Sequence, residues 1–527
     1  MSPSPAANTL HTTLLQLKLH RFTSQLQESN GRLLLSLNGI NRRIFLTNAY
    51  LPHPVASISA LPVSAPDLKS SSLPFWLLAV FLCIVFLTGG ASRVDVQSLL
   101  ILQPLSVVAC AAALLTLKYE HFAGRGWLIA GFSSIILLCL LHLIPLPPKV
   151  WQSLPGREIV TEIEKLAGLG DVWRPLTLMP MNGWHALASL ITPLAVLLLG
   201  FQLQKDDLYR LLPVLIGLTA ISGFVGLLQV IGDPKGPLYL YRITNNGAAV
   251  GLFANRNHAA VLLASLFPML AVYASISMGT VDQQRMRQFV AVAAGIVLVP
   301  LILVTGSRAG MLMAVPALAA AALLYRKPAE GRTVRWGDTG FRLGAVHVIS
   351  AAVVISLVLL TILYSRAKAW DRLFQQSVAD DLRDDFWGVG LQMIGQNFPF
   401  GSGIGSFVEA YQMAEPATYL NASYVNHVHN DWLEMALTGG LPVMVISSVA
   451  IFFFIKRTIA LLRRNDADRR AVKVARLASV LITIIALASF VDYPLRTPIM
   501  LAVFAILCLW FTAPALAERG PVSGKAD

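Results

Sequence analysis

The chain has 527 residues, of which 55% are hydrophobic and 13% are charged, and its mean hydropathy is +0.64. Because soluble domains carry about a quarter charged residues, this composition excludes an ordinary soluble protein and indicates a polytopic membrane protein. The net charge of +13 does not indicate nucleic-acid binding, because the basic residues lie between the apolar runs and no recognition motif accompanies them.

The N-terminal segment differs from the rest of the chain. Residues 1–72 are polar and mixed, and the first long apolar run begins at Leu73. A short apolar stretch around Asn38-Gly39 is compatible with two strands joined by a tight turn. We interpret residues 1–72 as a cytoplasmic N-terminal tail that is partly disordered.

Twelve apolar runs follow, each about long enough to cross a bilayer core of ~30 Å as a helix. We predict spans at 73–91, 98–117, 126–146, 184–203, 208–231, 258–278, 288–304, 309–325, 345–364, 433–455, 474–491 and 498–516. The predicted fold class is therefore an all-α polytopic membrane protein of about 12 transmembrane helices. Its membrane domain covers 73–516, and 517–527 form a cytoplasmic C-terminal tail.

Lysine and arginine set the orientation. The loop at 326–342 carries five basic residues and the loop at 456–473 carries seven, so both are predicted to be cytoplasmic. The segments 147–183, 232–257 and 365–432 then face outward, and 365–432 is the largest of them. Long loops on one side of a membrane indicate that this side carries the function.

The outward loop ends in the most informative segment, HVHNDWLEMALTGGLP, which begins at His427. Imidazole is suited to proton transfer near neutral pH, and His429 is the better candidate base, with Asp431 or Glu434 as its orienting carboxylate. In an extended approach to the helix, His427 and His429 would share a face. Asn430 or Asp431 is a candidate cap for the first turn, and capping alone would need neither imidazole.

Two arginines lie at predicted outer helix starts, Arg308 in VTGSRAGMLM and Arg256 in GLFANRNHAA. A guanidinium group binds phosphate through two parallel hydrogen bonds, and a helix start adds free N–H groups. The pair is therefore a candidate diphosphate clamp, with Arg383 as a third cation. The competing interpretation is that each side chain extends from the apolar region to the interface.

The acidic stretch ADDLRDDFW, 379–387, is a candidate divalent-cation site, but such runs are more often solvated helix faces. We predict no metal site. The glycine-rich FPFGSGIGSF, 398–407, lacks the strand and the Lys-Ser/Thr of a nucleotide loop. We interpret it as tight turns that bring the backbone close to a neighbouring element.

Taken together, GLFANRNHAA, TGSRAG, RDDFW, NFPFGSGIGSF, HVHNDWLEMALTGGLP and SFVDYPLRTP resemble, in this order, the O-antigen ligase and polymerase superfamily of bacterial inner-membrane glycosyltransferases. The resemblance implies a fold similar to the membrane C-type glycosyltransferases and a large periplasmic loop. It also implies an undecaprenyl-diphosphate-linked glycan donor at the periplasmic face and a metal-independent reaction that inverts the anomeric centre without a cofactor.

The resemblance implies residue roles as well. His429 would be the catalytic histidine and Arg308 the catalytic arginine, with Arg256 as the other phosphate-facing cation. The further residues that we expect to bind substrate are Arg383, His427, Asn430, Asp431 and Glu434.

The acceptor stays open at this point. VDYPLR and the large loop favour a polymerase of exopolysaccharide or O-antigen repeat units. The alternatives are a ligase that uses lipid A core as the acceptor and a protein O-oligosaccharyltransferase. From another class, a transporter or lipid flippase would place its charges at the bilayer midplane, whereas here they lie at the ends of the spans. A non-catalytic membrane partner would tolerate loss of His429.

Overall fold

The computed structural model describes residues 72–276, 281–327, 378–419, 424–464 and 470–518, and of these it gives 281, 378–385 and 515–518 as backbone alone. The predicted N-terminal tail before residue 72, the predicted span at 345–364 and the C-terminal residues after 518 lie outside the described residues. The predicted outer loop at 365–432 is described from residue 378, with a gap at 420–423.

Helices dominate the described chain. The α-helices are α1 Leu73–Thr88, α2 Leu99–Thr116, α3 Gly126–Leu143, α4 Pro148–Gln152, α5 Glu158–Leu166, α6 Pro180–Ser189, α7 Ile191–Phe201, α8 Lys205–Ile231, α9 Arg256–Ser275, α10 Val281–Thr305, α11 Arg308–Leu324, α12 Val378–Asn397, α13 Phe407–Ala414, α14 Asp431–Leu462, α15 Arg470–Ala488 and α16 Pro498–Glu518. Short 3₁₀ helices lie at Tyr119–Phe122, Ala417–Tyr419 and Pro494–Arg496. Two short antiparallel strands, β1 Pro145–Leu146 and β2 Arg174–Pro175, pair with each other.

Eight helical segments in the described part of the chain are long and apolar enough to cross a membrane, and three shorter apolar helices accompany them. The prediction of an all-α polytopic membrane protein is therefore confirmed. Each predicted span within the described residues coincides with one of these helices. The span predicted at 184–203 is interrupted between α6 and α7, because Pro193 offers no N–H to the carbonyl of Ser189 and its ring crowds that carbonyl.

Helix α9 is the central helix of the membrane domain. Nearly every residue from His258 to Ser275 is buried, and the apolar side chains of α9 belong to one core cluster with those of α1, α7, α8, α15 and α16. A helix of this length covers about 30 Å, so its two ends lie near opposite faces of the helical domain.

The last turn of α9 contacts the described ends of the two segments predicted to be basic loops, at Arg326 and Lys473. The Lys473 ammonium group donates a hydrogen bond to the Ser275 carbonyl at 2.9 Å, and the Arg326 amide donates to the Ser275 hydroxyl at 2.9 Å. Because Arg256 begins the same helix, Arg326 and Lys473 lie at the opposite end of α9 from the candidate phosphate-binding arginine. This arrangement agrees with the orientation inferred from the positive charges.

Helix α14 is broken near its start. Gly440 has φ 59°, in the left-handed region. The Leu441 amide therefore donates to the Pro399 carbonyl at 2.8 Å, and the Leu437 carbonyl, which Leu441 would ordinarily contact, accepts from the Ser402 amide at 3.0 Å.

The glycine-rich segment completes this exchange of hydrogen bonds. Pro442 has no N–H for the carbonyl of Thr438, and the Gly403 amide takes that place at 2.9 Å. A side chain at Gly401, where φ is 78°, would meet the Thr438 carbonyl oxygen. The segment at 398–407 is thus a close backbone approach, as predicted, and the element it approaches is the break in α14.

A second segment at the same end, residues 145–177, is held by a buried arginine. The Arg157 guanidinium donates to the carbonyls of Leu176 at 2.8 Å and Gly401 at 3.2 Å, and to Asn397 Oδ1 at 3.2 Å. Arg157 thereby joins this segment to the glycine-rich one.

Candidate functional site

Four chain segments meet at the end of the domain where α9 begins. They are the start of α9, the start of α11, the start of α14 and the turn between α15 and α16. Each brings polar side chains to the end of an apolar helix, where backbone N–H groups without helical partners are already concentrated.

Both predicted phosphate-binding arginines lie at the first residue of a helix. Asn255 caps α9, where its side chain accepts from the Asn257 amide at 2.9 Å, and Arg256 follows it. Ser307 caps α11, where its hydroxyl accepts from the Gly310 amide at 2.9 Å. Arg308 follows Ser307 and is exposed. The predicted location of both cations at helix starts is therefore correct.

Asn257 links three of the four segments. Its carbonyl oxygen accepts from the Ser307 hydroxyl at 2.8 Å, and its amide nitrogen donates to the Asp492 carboxylate at 2.6 Å. Ser307 caps the helix that Arg308 begins, and Asp492 lies in the turn between α15 and α16. Asn257 thus connects both arginine-bearing helix starts to the same carboxylate, the start of α9 directly and that of α11 through Ser307.

Asp492 is the carboxylate beside His429. It is 1% exposed, and one of its oxygens lies 3.5 Å from His429 Nδ1 and 3.6 Å from His258 Nε2. These distances permit Coulombic attraction but exceed a well-formed hydrogen bond. Burial alone would raise the pKa of Asp492, but its interactions with His258 and His429 outweigh burial and hold the pKa well below its usual value.

The assignment of Asp431 or Glu434 as the orienting carboxylate of His429 is therefore wrong in this structure. Those side chains lie in the first turn of α14, beyond the bend at His429, and other groups contact them. Asp492 reaches the imidazole from another segment of the chain.

His429 has φ 55°, a left-handed conformation that non-glycine residues rarely adopt. It precedes Asn430, whose side chain accepts from the Leu433 amide at 3.1 Å and so caps α14. Of the two residues predicted as candidate caps, Asn430 and Asp431, Asn430 is the one that caps the helix. The bend at His429 turns the chain from its extended approach into the helix.

Three imidazole rings surround Tyr493. The ring centroids of His427, His429 and His258 lie 4.3 Å, 5.0 Å and 5.0 Å from that of Tyr493. His427 and His429 thus contact the same ring, which agrees with their predicted shared face. Burial and the nearby Asp492 raise the pKa of Tyr493, so its phenol stays neutral at physiological pH.

The two histidines differ in their partners and exposure. His427 Nδ1 lies 3.0 Å from Glu434, and its side chain is 13% exposed, whereas that of His429 is 30% exposed. Arg496 contacts Asp431 at 2.9 Å and Glu434 at 3.3 Å. Arg496 thus forms ion pairs with both carboxylates of the first turn of α14, and Glu434 also contacts His427.

Arg383 and the acidic stretch lie in α12, where the structure describes only the backbone up to residue 385. The predicted role of Arg383 therefore stays a prediction. Among the described residues, no group of three or more His, Cys, Asp and Glu side chains is arranged to hold a metal ion.

Several residues of this site carried no role in the sequence analysis: Asn257, His258, Asp492, Tyr493 and Arg496. The sequence could have indicated two of them as site candidates, because SFVDYPLRTP places the charged residues Asp492 and Arg496 in a short turn between two apolar runs. Such a turn is where a charged residue needs a partner. Its partners are distant in sequence; Asn257 and Asp492 are 235 positions apart.

Comparison with known protein families identifies one match. Residues 290–448 match the family described as O-antigen ligase. The matched part, less than a third of the chain, contains Arg308, the two histidines and the start of α14. Arg256 and the turn with Asp492 lie outside it. Comparison with curated proteins gave no match.

The predicted relationship to the O-antigen ligase and polymerase superfamily is therefore confirmed. Members of this family are glycosyltransferase-like ligases and polymerases, so the match indicates an enzyme that acts on lipid-linked glycans and polysaccharides in a membrane.

Proposed function

We propose that this relative of the O-antigen ligases transfers a glycan from an undecaprenyl-diphosphate donor to a sugar hydroxyl, at the periplasmic face of the bacterial inner membrane. The observation that carries the proposal is the contact of Asn257 with both Ser307 and Asp492. It joins the helix starts of Arg256 and Arg308 to the carboxylate beside His429, as a shared site requires.

His429 is the general base in this proposal. Its Nδ1 faces Asp492, and with the hydrogen on Nδ1 the other ring nitrogen, Nε2, is the basic atom. The long distance to Asp492 is compatible with this role, since catalytic hydrogen bonds often tighten only when substrate binds. His429 is also the more exposed of the two neighbouring imidazoles.

Arg256 and Arg308 bind the diphosphate of the donor. Each begins a helix whose first N–H groups and positive dipole end also favour an anion. A guanidinium group stays charged throughout the reaction and stabilises the negative charge that grows on the departing phosphate oxygen. The reaction then needs no metal to neutralise the leaving group.

The chemical step is one displacement. The acceptor hydroxyl oxygen forms a bond to the anomeric carbon, the bond between that carbon and the phosphate oxygen breaks, and the hydroxyl proton passes to His429. The anomeric centre is inverted, and undecaprenyl diphosphate leaves. A diphosphate leaves as an anion without a proton, so the site requires no carboxylic acid of the kind that glycosidases use.

Asp431, Glu434 and Arg496 hold the start of α14 in this proposal. The two carboxylates are buried and Arg496 is half-buried, so removing Arg496 would leave uncompensated buried charge. Glu434 in turn orients His427. These groups position the residues around the substrate, whereas the more exposed His429 contacts the substrate itself.

The acceptor in the proposal is a growing exopolysaccharide or O-antigen chain, so the enzyme is a polymerase. Deletion of the gene followed by glycan analysis tests this. Loss of a polymer or of chain length supports a polymerase. Loss of the whole ladder from lipopolysaccharide points to ligation onto lipid A core, and loss of protein glycans points to protein O-glycosylation.

We expect His429→Ala to abolish glycan transfer when it replaces the native protein in the deletion strain. General-base catalysis contributes about 10²–10⁴ in rate, so a residual rate at or below about one hundredth of the native rate is expected. The measurement is polymer per cell at equal amounts of inserted protein.

The matched control is His185→Ala, which removes a half-buried imidazole from α6. It should leave polymer output unchanged. Normal polymer from His429→Ala at equal expression would contradict the assignment of the base and would favour a non-catalytic role of the protein.

A further inference from the structure

Helix α5 presents its apolar side chains outward. Ile159, Ile163 and Leu166 are 60%, 59% and 89% exposed, and their spacing of four and three residues places them within about 60° of one another around the helix. The opposite side carries Glu164, which is buried and forms an ion pair with Arg174. A helix that faces its own protein with a carboxylate and the exterior with an apolar stripe requires an apolar surrounding.

The helix is held close to the end of a membrane-spanning helix. Strand β1 begins two residues after Leu143, the last residue of α3, and it pairs with β2. Arg157, directly before α5, donates to the carbonyl of Leu176, the residue that follows β2. Both ends of this segment are therefore attached at the level where α3 leaves the bilayer, and α5 itself is only about 13 Å long.

Other exposed apolar side chains connect this stripe to the surface of α3. Leu140 and Leu141 are exposed near the end of α3, and Ile144 and Val150 continue the exposed surface into the segment that carries α5. Trp173 follows α5 and is 60% exposed. Tryptophan is enriched at membrane–water interfaces, where its apolar body and its N–H group both find partners.

We propose that α5 lies parallel to the bilayer, in the interface between membrane and water on the same side as the candidate site. Ile159, Ile163 and Leu166 are then inserted at the level where headgroups meet acyl chains. The lipid surface is favoured over a protein partner because the exposed stripe continues the lipid-facing surface of α3 at the same end. Glu162 and Lys165 flank the stripe and remain with the headgroups and water.

The contact of α5 with the membrane would stabilise the position of the candidate site. Arg157 connects the start of α5 to Gly401, and the segment around Gly401 fills the break in α14 just beyond the candidate base. The insertion of α5 into the interface thereby sets the height of the α14 start above the bilayer. The membrane contact itself does not depend on the proposed function.

The test is spin-label accessibility in lipid nanodiscs. The four native cysteines, Cys83, Cys110, Cys139 and Cys508, are replaced, and a nitroxide is attached to Ile163→Cys or, as the matched control, to Glu162→Cys. Collision rates with oxygen, which concentrates in lipid, and with a water-soluble nickel complex are measured for each label. We expect the oxygen-to-nickel ratio at position 163 to exceed that at position 162 several-fold.

Two outcomes would overturn the proposal. Equal access of the nickel complex to both positions would place the stripe in water. Shielding of position 163 from both reagents would mean that protein covers it, either a second copy or another partner. Both labelled proteins are first checked for native thermal unfolding, and a label at Leu166→Cys replaces any variant that fails this check.

Discussion

The backbone of His429 lies in a conformation that costs a non-glycine residue about 1–2 kcal/mol. The surrounding contacts maintain it: Asn430 caps the following helix, Tyr493 packs against the ring, and Asp492 lies 3.5 Å from Nδ1. Strained residues of this kind persist where the environment determines them, which is common at functional sites. The strain therefore supports the proposal that His429 acts on substrate.

At the residue scale we also expect Arg308→Lys to be nearly as damaging as Arg308→Ala. An ammonium group retains the charge but cannot form two parallel hydrogen bonds to phosphate, and each lost charged hydrogen bond is worth about 1.5–3 kcal/mol. Transfer should fall by about 10-fold or more in both variants. Polymer output at equal expression is the measurement.

Arg285→Lys is the control, because Arg285 is exposed in the first turns of α10, at the other end of that helix from the site. It should transfer glycan at the native rate. Retained activity in Arg308→Lys would remove the argument for bidentate phosphate binding.

At the scale of elements, the break in α14 is what lets the glycine-rich segment reach the candidate site. Three hydrogen bonds to residues 399–403 satisfy the Leu441 amide and the carbonyls of Leu437 and Thr438, which have no helical partner at the break. The short segment before the break carries Asp431 and Glu434, and the longer one after it crosses the membrane.

We expect Gly440→Ala to destabilise the protein by at least about 1–2 kcal/mol, because a side chain at φ 59° is strained and would also meet the Pro399 carbonyl. The melting temperature in detergent and the polymer output should both fall. Gly395→Ala in α12 is the matched control, because the added methyl group would have no atom within 4 Å apart from the neighbouring backbone of its own helix.

The control substitution should leave the melting temperature unchanged or raise it, since alanine is favoured over glycine within a helix by about 0.5–1 kcal/mol. If Gly440→Ala were as stable as Gly395→Ala, the break would not depend on the glycine conformation.

At the scale of the whole molecule, the polar site depends on the way helices from both halves of the chain pack around α9. Asn257 is the residue where this packing can be tested, because it contacts the cap of α11 and the turn before α16. We expect Asn257→Ala to lower the free energy of unfolding by about 1–3 kcal/mol, since it leaves buried polar groups without a partner.

Glycan transfer by Asn257→Ala should fall further than the loss of folded protein explains, because the two arginine-bearing helix starts lose the residue that connects them. Thermal unfolding and polymer output are compared with those of Asn246→Ala, an exposed asparagine in the loop before α9. Native transfer by Asn257→Ala would argue against a shared site.

The sequence by itself determined the membrane architecture and the positions of the chemical groups along it. Apolar runs predict spans because a helix in lipid pairs its backbone N–H and C=O groups within the run itself. The prediction therefore needs no knowledge of the rest of the fold. Each span within the described residues therefore coincides with a helix, apart from the interruption before Pro193, and Arg256, Arg308 and His429 lie at or beside helix starts, as predicted.

Only the tertiary structure decided which groups meet. The carboxylate beside His429 is Asp492 and not one from the helix that follows it, and Arg496 forms ion pairs with Asp431 and Glu434. These pairings join segments that are distant in the sequence, and they follow from the packing of many apolar side chains around α9, none of which contributes much alone. Hydropathy and motifs along the chain do not report contacts between distant residues. Which residues form the site is therefore known only once the helices are packed together.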